Sequence, residues 1–282
     1  MIAPDDPVFL DCDALARKVA EAACLAGAKL LAMRAARDVK LKPDGSPVCS
    51  ADLAADHAAK QALARLLPDF PVISEESAGE IAPGPVFILL DPLDGTREFL
   101  AGGESYCVAI AVVRAGRPVA GAIAAPQLAR LWFAGDRAYS QRLAQDGAAL
   151  GTPQPARVRP LPAAGPTTLV SRFHGDALSD AVAREMGSAS TMPASSAVKF
   201  GLIAGGEADL HIRAGQTMEW DIAAGEAILC AAGGAVLTLD GERPRYGCAD
   251  RGFRNPSFVA AASEDLARQA VAAARHLTEE KS

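Results

Sequence analysis

Aromatic residues are scarce in this chain of 282 residues: nine Phe, three Tyr and two Trp, 5% of the total. Other scarcities narrow its class further. The six cysteines, Cys12, Cys24, Cys49, Cys107, Cys230 and Cys248, include no CxxC pair and no Cys/His cluster at zinc-ligand spacing. Long apolar runs are missing. Runs such as Val86–Leu90 and Cys107–Val113 fall far short of the ~18 residues of a spanning helix, so no integral membrane segment is expected. Positive charge is not in excess, with 28 Lys and Arg against 34 Asp and Glu, net -6. A chain that coats DNA or RNA carries a basic stripe, so a nucleic-acid polymer is not the expected partner. No Gly-x4-Gly-Lys-Ser/Thr loop occurs, which leaves a P-loop kinase or ATPase unsupported. No Gly-x-Ser-x-Gly elbow occurs either. Met1–Leu10 shows no basic region followed by an apolar one, so no signal peptide is expected.

What is present is a globular core. Half of the residues are hydrophobic and 22% are charged. A chain of this length buries about three quarters of its unfolded surface and needs no disulfide staples. Cys24, Cys107 and Cys230 lie in apolar runs and read as small buried hydrophobes. A reduced, cytoplasmic protein is the expectation.

Helices and strands alternate in runs. Leu15, Val19, Ala22, Ala26, Leu30 and Met33 recur at three- and four-residue spacing and predict a helix over Asp13–Arg37. A turn at Pro43-Asp44-Gly45-Ser46-Pro47 precedes a second helix, Ala51–Leu67, with Leu53, Ala59, Leu63 and Leu66 or Leu67 facing a core. Strands are predicted at Val72–Ser74, Val86–Leu90, Tyr106–Val113, Val119–Ala125, Leu131–Ala134 and Ala138–Gln141, with a short helical turn at Thr96–Ala101. Gly151–Pro166, rich in Pro and Ala, reads as a linker. Beyond it come strands at Thr168–Ser171, Asp209–Ile212, Ala235–Leu239 and Phe258–Ala261, and helices at Ala177–Met186, Ser196–Gly205, Asp221–Ala232 and Ser263–Leu277. The pattern predicts a layered α+β protein in two halves, 1–155 and 156–282.

Chemistry concentrates in Asp91-Pro92-Leu93-Asp94-Gly95-Thr96, directly after an apolar strand. Two carboxylates three residues apart, separated by a stiffening proline, can converge on a hard cation such as Mg²⁺. Gly95 permits close backbone approach, and Thr96 stands where a helix begins, with free N–H groups suited to a phosphate. The same residues would also serve a plain Asp-Pro-Gly turn. Glu75-Glu76 follows the strand Val72–Ser74, and strand alternation would aim only one of the two at a shared site. A solvated acidic loop is the alternative. Asp221, after Trp220, and Asp52 both stand at helix starts, where Asp is a good N-cap.

Taken together, Glu75-Glu76, Asp91–Thr96 and Trp220-Asp221 resemble, in order and type, the motifs of the inositol monophosphatase-like superfamily of Mg²⁺-dependent, lithium-sensitive phosphatases. The resemblance runs from about the first helix to the end of the chain. It implies a layered α/β/α/β/α sandwich of the inositol monophosphatase and fructose-1,6-bisphosphatase type. The N-terminal half would hold a mainly antiparallel sheet. The smaller C-terminal α/β half would donate Asp221. The resemblance further implies that Glu75, Asp91 and the Leu93 carbonyl hold one Mg²⁺, that Asp91, Asp94 and Asp221 hold a second, and that a third binds near Glu75. Gly95 and Thr96 would offer N–H groups to the substrate phosphate. Asp52 would pair with the Thr96 hydroxyl, which with Glu75 positions and deprotonates the attacking water. Glu75, Leu93, Asp94, Gly95, Thr96 and Asp221 would thus border the substrate, with Lys42 as a basic group nearby.

Within the superfamily, Thr96-Arg97-Glu98-Phe99, Val170-Ser171-Arg172-Phe173-His174, Ser195–Phe200 and Arg213–Asp221 are similar to the CysQ group of bacterial 3'(2'),5'-bisphosphate nucleotidases. Arg213 stands near the place where inositol phosphatases carry a glutamate for a sugar hydroxyl. An Arg there suits a second phosphate, with Lys199 close by in the sequence pattern. The resemblance implies removal of the 3'-phosphate of adenosine 3',5'-bisphosphate, with the sulfated nucleotide as a further substrate. Inositol 1-phosphate and fructose 1,6-bisphosphate are the rival esters, and a non-catalytic nucleotide or metal sensor is the rival class. A homodimer and peripheral attachment to the inner face of the cell membrane are both compatible with the sequence.

Overall fold

The computed structural model describes residues 10–35, 38–42, 45, 47–79, 81–173 and 175–279. Met1–Phe9, Arg37, Pro43, Asp44, Ser46 and His174, which entered the readings above, lie outside the described residues. In chain order the first elements are α1 (Cys12–Ala32), β1 (Lys40–Leu41), β2 (Pro47–Val48), α2 (Ser50–Leu66), β3 (Val72–Ser74), β4 (Val86–Asp94) and α3 (Thr96–Leu100). Then follow β5 (Cys107–Arg114), β6 (Arg117–Ala125), β7 (Arg130–Ala134), β8 (Ala138–Leu143) and β9 (Ala149–Pro155). The remainder is β10 (Thr167–Ser171), α4 (Ala177–Glu185), β11 (Ser190–Ala194), α5 (Val198–Ala204), β12 (Leu210–Arg213), β13 (Thr217–Met218), α6 (Glu219–Ala231), β14 (Ala235–Thr238), β15 (Arg254–Asn255), β16 (Phe258–Ala261) and α7 (Glu264–Glu279).

These elements stack in five layers. Strands β3 to β9 form one sheet in sequence order. Only β3 and β4 pair in parallel within it; the other neighbours are antiparallel. A second, mixed sheet has the order β11-β10-β12-β16-β14. Helices α1 and α2 cover one face of the first sheet, and α4 and α7 cover the outer face of the second. Helices α5 and α6 lie between the sheets. The strands record this by alternation. In β5, Val108, Ile110 and Val112 pack toward α1 and α2, while Cys107, Ala109, Ala111 and Val113 face the middle layer. Both faces are buried, which is why β4 and β5 read as continuous apolar runs rather than alternating ones. Helix α6 is apolar nearly all round because it has a sheet on each side. It also comes very close: a Cβ on Gly121 of β6 would lie 2.8 Å from the Ala224 carbonyl oxygen and 2.9 Å from its Cα.

Three readings need correction. Leu53 is 56% exposed, because the buried face of α2 is set by Ala51, Asp52, Ala55, Ala59, Ala62 and Leu63, and Leu53 is turned about 100° from Asp52. Cys230 is only half-buried, at the last turn of α6. The Gly151–Pro166 stretch is not all linker, since β9 runs into it as an exposed edge strand to Pro155, where proline is tolerated. Strand β11 was not predicted; it is a largely exposed edge with no hydrophobic period to mark it.

Candidate active site

The key local feature is at the end of β4. On a regular strand, residues three apart point to opposite faces. Here Asp91 pairs with Ala109 and Asp94 with Cys107, so three residues on β4 span two on β5. This bulge, at Pro92-Leu93, restores parity and puts both carboxylates on the middle-layer side, the side of Ala109 and Cys107. The sequence reading ended the strand at Leu90 and made Asp91–Gly95 a turn; the strand continues to Asp94. Gly95 then takes φ 98°, left-handed, which turns the chain into α3.

Asp91, Asp94, Glu75 and Asp221 border one cavity of about 280 Å³, together with Leu93, Gly95, Thr96, Lys199 and Arg213. Glu75 opens a short 3-10 turn over Glu75–Ser77 rather than continuing a strand. It faces the cavity and Glu76 does not line it. Lys42 reaches both, at 2.6 Å from Glu75 Oε1 and 2.8 Å from Glu76 Oε1. Burial works against its charge, yet the two carboxylates hold the Lys42 ammonium above its ordinary range. Asp221 comes from α6. It is the third residue of that helix, not its N-cap, and its Oδ2 accepts the Met218 N–H at 2.7 Å. Asp52 stands likewise in α2, with Oδ2 accepting the Cys49 N–H at 2.9 Å. Each carboxylate therefore uses one oxygen to close its own helix. Asp52 Oδ1 accepts the Thr96 hydroxyl at 3.0 Å, and the Leu93 carbonyl is a second acceptor for that hydroxyl at 3.2 Å.

The electrostatics are those of crowded anions. Burial, then the charges of Glu75, Asp94 and Asp221, push Asp91 well above the usual carboxylate range. Burial, then Asp94 and Glu75, does the same to Asp221. Asp94 is pushed up to about 6 by burial, with Lys199 and the Ala197 N–H pulling the other way. Burial lowers Lys199 to about 8. Burial also keeps His211, which lines the cavity, far below its ordinary value and so neutral; its Nδ1 lies 3.1 Å from the Leu169 carbonyl. Among the described residues, no three acidic, imidazole or thiol groups close on a common point as a tight ligand cage. The donor chemistry nevertheless fits hard divalent ions: oxygen donors alone, from carboxylates whose mutual repulsion a cation would relieve.

The sequence-predicted residues Glu75, Asp91, Leu93, Asp94, Gly95, Thr96, Asp221, Lys199 and Arg213 line this cavity. Asp52 and Lys42 stand directly behind it through Thr96 and Glu75. The sequence reading names Glu98 only within the Thr96–Phe99 segment, with no role of its own, and does not single out His211. Both are buried polar groups in short elements with no pattern that announces burial.

Comparison with known proteins agrees with this architecture. The sequence profile of the inositol monophosphatase family matches residues 13–279. The 3'(2'),5'-bisphosphate nucleotidase CysQ of Salmonella typhimurium is 36% identical over 221 residues, covering 77% of this chain and 86% of that protein. CysQ of Escherichia coli K12 is 35% identical over 229 residues, covering 78% and 87%. The crystal structure of CysQ from Bacteroides thetaiotaomicron superposes with a TM-score of 0.72 at 29% identity, over 90% of this chain and 98% of that one. The Thermotoga maritima IMPase, at 20% identity, shares the fold with a TM-score of 0.75, over 95% and 99%. No helix among the described residues is long and apolar enough to cross a membrane. The chain belongs to the inositol monophosphatase family and is a phosphoric monoester hydrolase.

Proposed function

We propose that this enzyme is a Mg²⁺-dependent 3'(2'),5'-bisphosphate nucleotidase that converts adenosine 3',5'-bisphosphate to AMP and phosphate, with the 5'-phosphosulfate form as a further substrate. The observation that carries the reading is one cavity where four carboxylates meet Lys199 and Arg213. The bisphosphate nucleotidase relatives at 35–36% identity support the nucleotide over other esters.

Glu75, Asp91, the Leu93 carbonyl, Asp94 and Asp221 would hold two or three Mg²⁺ ions. Bound there, the ions would supply an acidified water and neutralise charge on the leaving oxygen. Thr96 and Asp52 handle the proton. The Thr96 hydroxyl has one hydrogen, already directed to Asp52 Oδ1 or the Leu93 carbonyl, so its lone pairs are left to accept from the attacking water. Glu75 is the second base at the same water. Gly95 and Thr96 orient the phosphate being removed. Arg213 and Lys199 take the second phosphate, Arg through its planar fork and Lys as a point charge. Residues 1–155 and 156–282 act as two halves around the substrate, with Asp221 brought from the second.

A substrate panel under Mg²⁺, with Li⁺ inhibition as control, tests the reading. Adenosine 3',5'-bisphosphate should be hydrolysed with the highest kcat/KM. Faster turnover of inositol 1-phosphate or fructose 1,6-bisphosphate would overturn the substrate assignment. Nucleotide binding without phosphate release would mark a sensor instead.

A further inference from the structure

Glu98 lies two residues beyond Thr96 on α3 and is 1% exposed. Its Oε1 accepts from Arg172 Nη1 at 3.0 Å and from the Ser105 N–H at 3.4 Å, and its Oε2 accepts the Ser195 hydroxyl at 2.9 Å. Gly103 leaves the room for this: a Cβ there would fall 2.0 Å from Glu98 Oε1. A carboxyl group this deeply buried needs its hydrogen-bond partners, and removing one leaves a buried polar oxygen uncompensated. Arg172 is therefore held firmly at one edge of its guanidinium, while about half of its side chain, 49%, remains accessible.

Phe173 follows Arg172 in the loop after β10. It is among the few large apolar side chains left exposed, at 45%, and both residues line the cavity that holds the acidic group. A phenyl ring and a planar guanidinium at one rim match two kinds of substrate group, an anion or a flat heterocycle. Charge decides between them. Glu98 sits 3.0 Å from the guanidinium and cancels much of its charge. Lys199 and Arg213, by contrast, both act electrostatically on Asp94, so they stand toward the acidic end. A charge-cancelled, flat, half-exposed rim suits an uncharged aromatic ring better than a phosphate. Bases stack on aromatic faces and on Arg planes.

We propose that Phe173 and Arg172 form a platform for the nucleobase of the substrate, and that Glu98 is a positioning residue that holds Arg172 flat in it. This deepens the nucleotidase reading and rests on it.

The test is steady-state kinetics of the Mg²⁺-loaded full chain on adenosine 3',5'-bisphosphate and on glycerol 2-phosphate, which has no base. Phe173→Ala is expected to lower the nucleotide-to-glycerol-phosphate ratio of kcat/KM by about 5- to 100-fold, through KM rather than kcat. Phe173→Tyr should restore the ratio and Phe173→Leu should not, since the ring and not the bulk matters. Glu98→Gln should lower the same ratio, and Arg172→Lys should as well, since both disturb the flat guanidinium. An equal loss on both substrates, or Leu performing as well as Tyr, would overturn the platform. If the wild type prefers the bisphosphate nucleotide and Phe173→Ala keeps the ratio, the platform alone fails. A wild type that prefers the base-free ester overturns the nucleotidase reading and the platform with it.

Discussion

The Thr96 hydroxyl donates to Asp52 Oδ1 at 3.0 Å across 44 residues of sequence, joining the start of α3 to the first turn of α2. Asp52 is 2% exposed, and its other oxygen receives both the N–H and the thiol of Cys49 at 2.9 Å. Burial raises its pKa and these hydrogen bonds lower it, so its orientation is fixed from both ends. Asp52→Asn keeps the size and can keep one helix-closing acceptor. It loses the negative charge that, on the proposed reading, takes up the Thr96 proton. The expected result is a fall in kcat of about 10²- to 10⁴-fold with KM little changed. Thr96→Val should match it, and Thr96→Ser should retain most activity. A KM effect alone in Asp52→Asn would remove this pair from the proton path.

Metal dependence follows from the crowding of Asp91, Asp94, Asp221 and Glu75. Each of the first three is pushed up by burial and then by neighbouring carboxylates or against neighbouring cations. On the proposed reading, divalent ions would bind the folded cavity and not the unfolded chain. Mg²⁺ should therefore raise the melting temperature, by the equivalent of about 2.7 kcal/mol at a hundred times its Kd. Asp94→Asn should abolish turnover and weaken the Mg²⁺-dependent rise, while the metal-free variant melts no lower than the metal-free wild type. Retained turnover in Asp94→Asn would overturn the site assignment.

Much of the site was legible because its residues are consecutive. Asp91, Asp94, Gly95 and Thr96 lie in one segment, and the family resemblance of the motifs, in order and type, tied them to Glu75 and Asp221. Their common direction was not legible. It depends on the bulge between β4 and β5, which shows only when Asp91 is seen opposite Ala109 and Asp94 opposite Cys107. The layers were legible where period was strong: the Leu15, Val19, Ala22, Ala26 and Leu30 face is buried as the spacing predicts. Leu53 misled because hydrophobicity outweighed phase, and the buried polar residue beside it, Asp52, marked the true inner face. Glu98 could not be read, since its burial depends on Arg172 and Ser195, 74 and 97 residues away, as well as on Ser105.

Lys199 sets a pH limit. It is 6% exposed, and burial lowers it to about 8. Below that value it is charged and can hold a phosphate; above it the charge is lost. The KM for adenosine 3',5'-bisphosphate should accordingly rise as pH increases through about 8. Lys199→Arg, which stays charged, should flatten that alkaline rise. Parallel KM–pH profiles for the two proteins would exclude Lys199 as the titrating group.

Arg213 faces the same cavity from the end of β12. If it grips the 5'-phosphate, its loss should be felt only by a substrate that carries one. Arg213→Gln is expected to raise the KM of adenosine 3',5'-bisphosphate about 10- to 100-fold relative to adenosine 3'-monophosphate, the range for a charged hydrogen bond. A uniform loss on both nucleotides would place Arg213 at the 3'-phosphate or in a structural role.

The position of Asp221 depends in turn on how closely α6 can lie against the first sheet. Gly121 faces the Ala224 backbone, and a Cβ there would approach it to 2.8 and 2.9 Å. These are main-chain atoms of a helix buried between two sheets, so no side-chain rotation relieves the clash. Gly121→Ala should push α6 outward and destabilise the protein by about 1–3 kcal/mol in urea unfolding. It should also lower kcat, because Asp221 on the first turn of α6 moves with the helix away from Asp91 and Asp94 on β4. A stability loss with unchanged kcat and unchanged Mg²⁺ requirement would show that Asp221 holds its place independently of the α6 contact at Gly121.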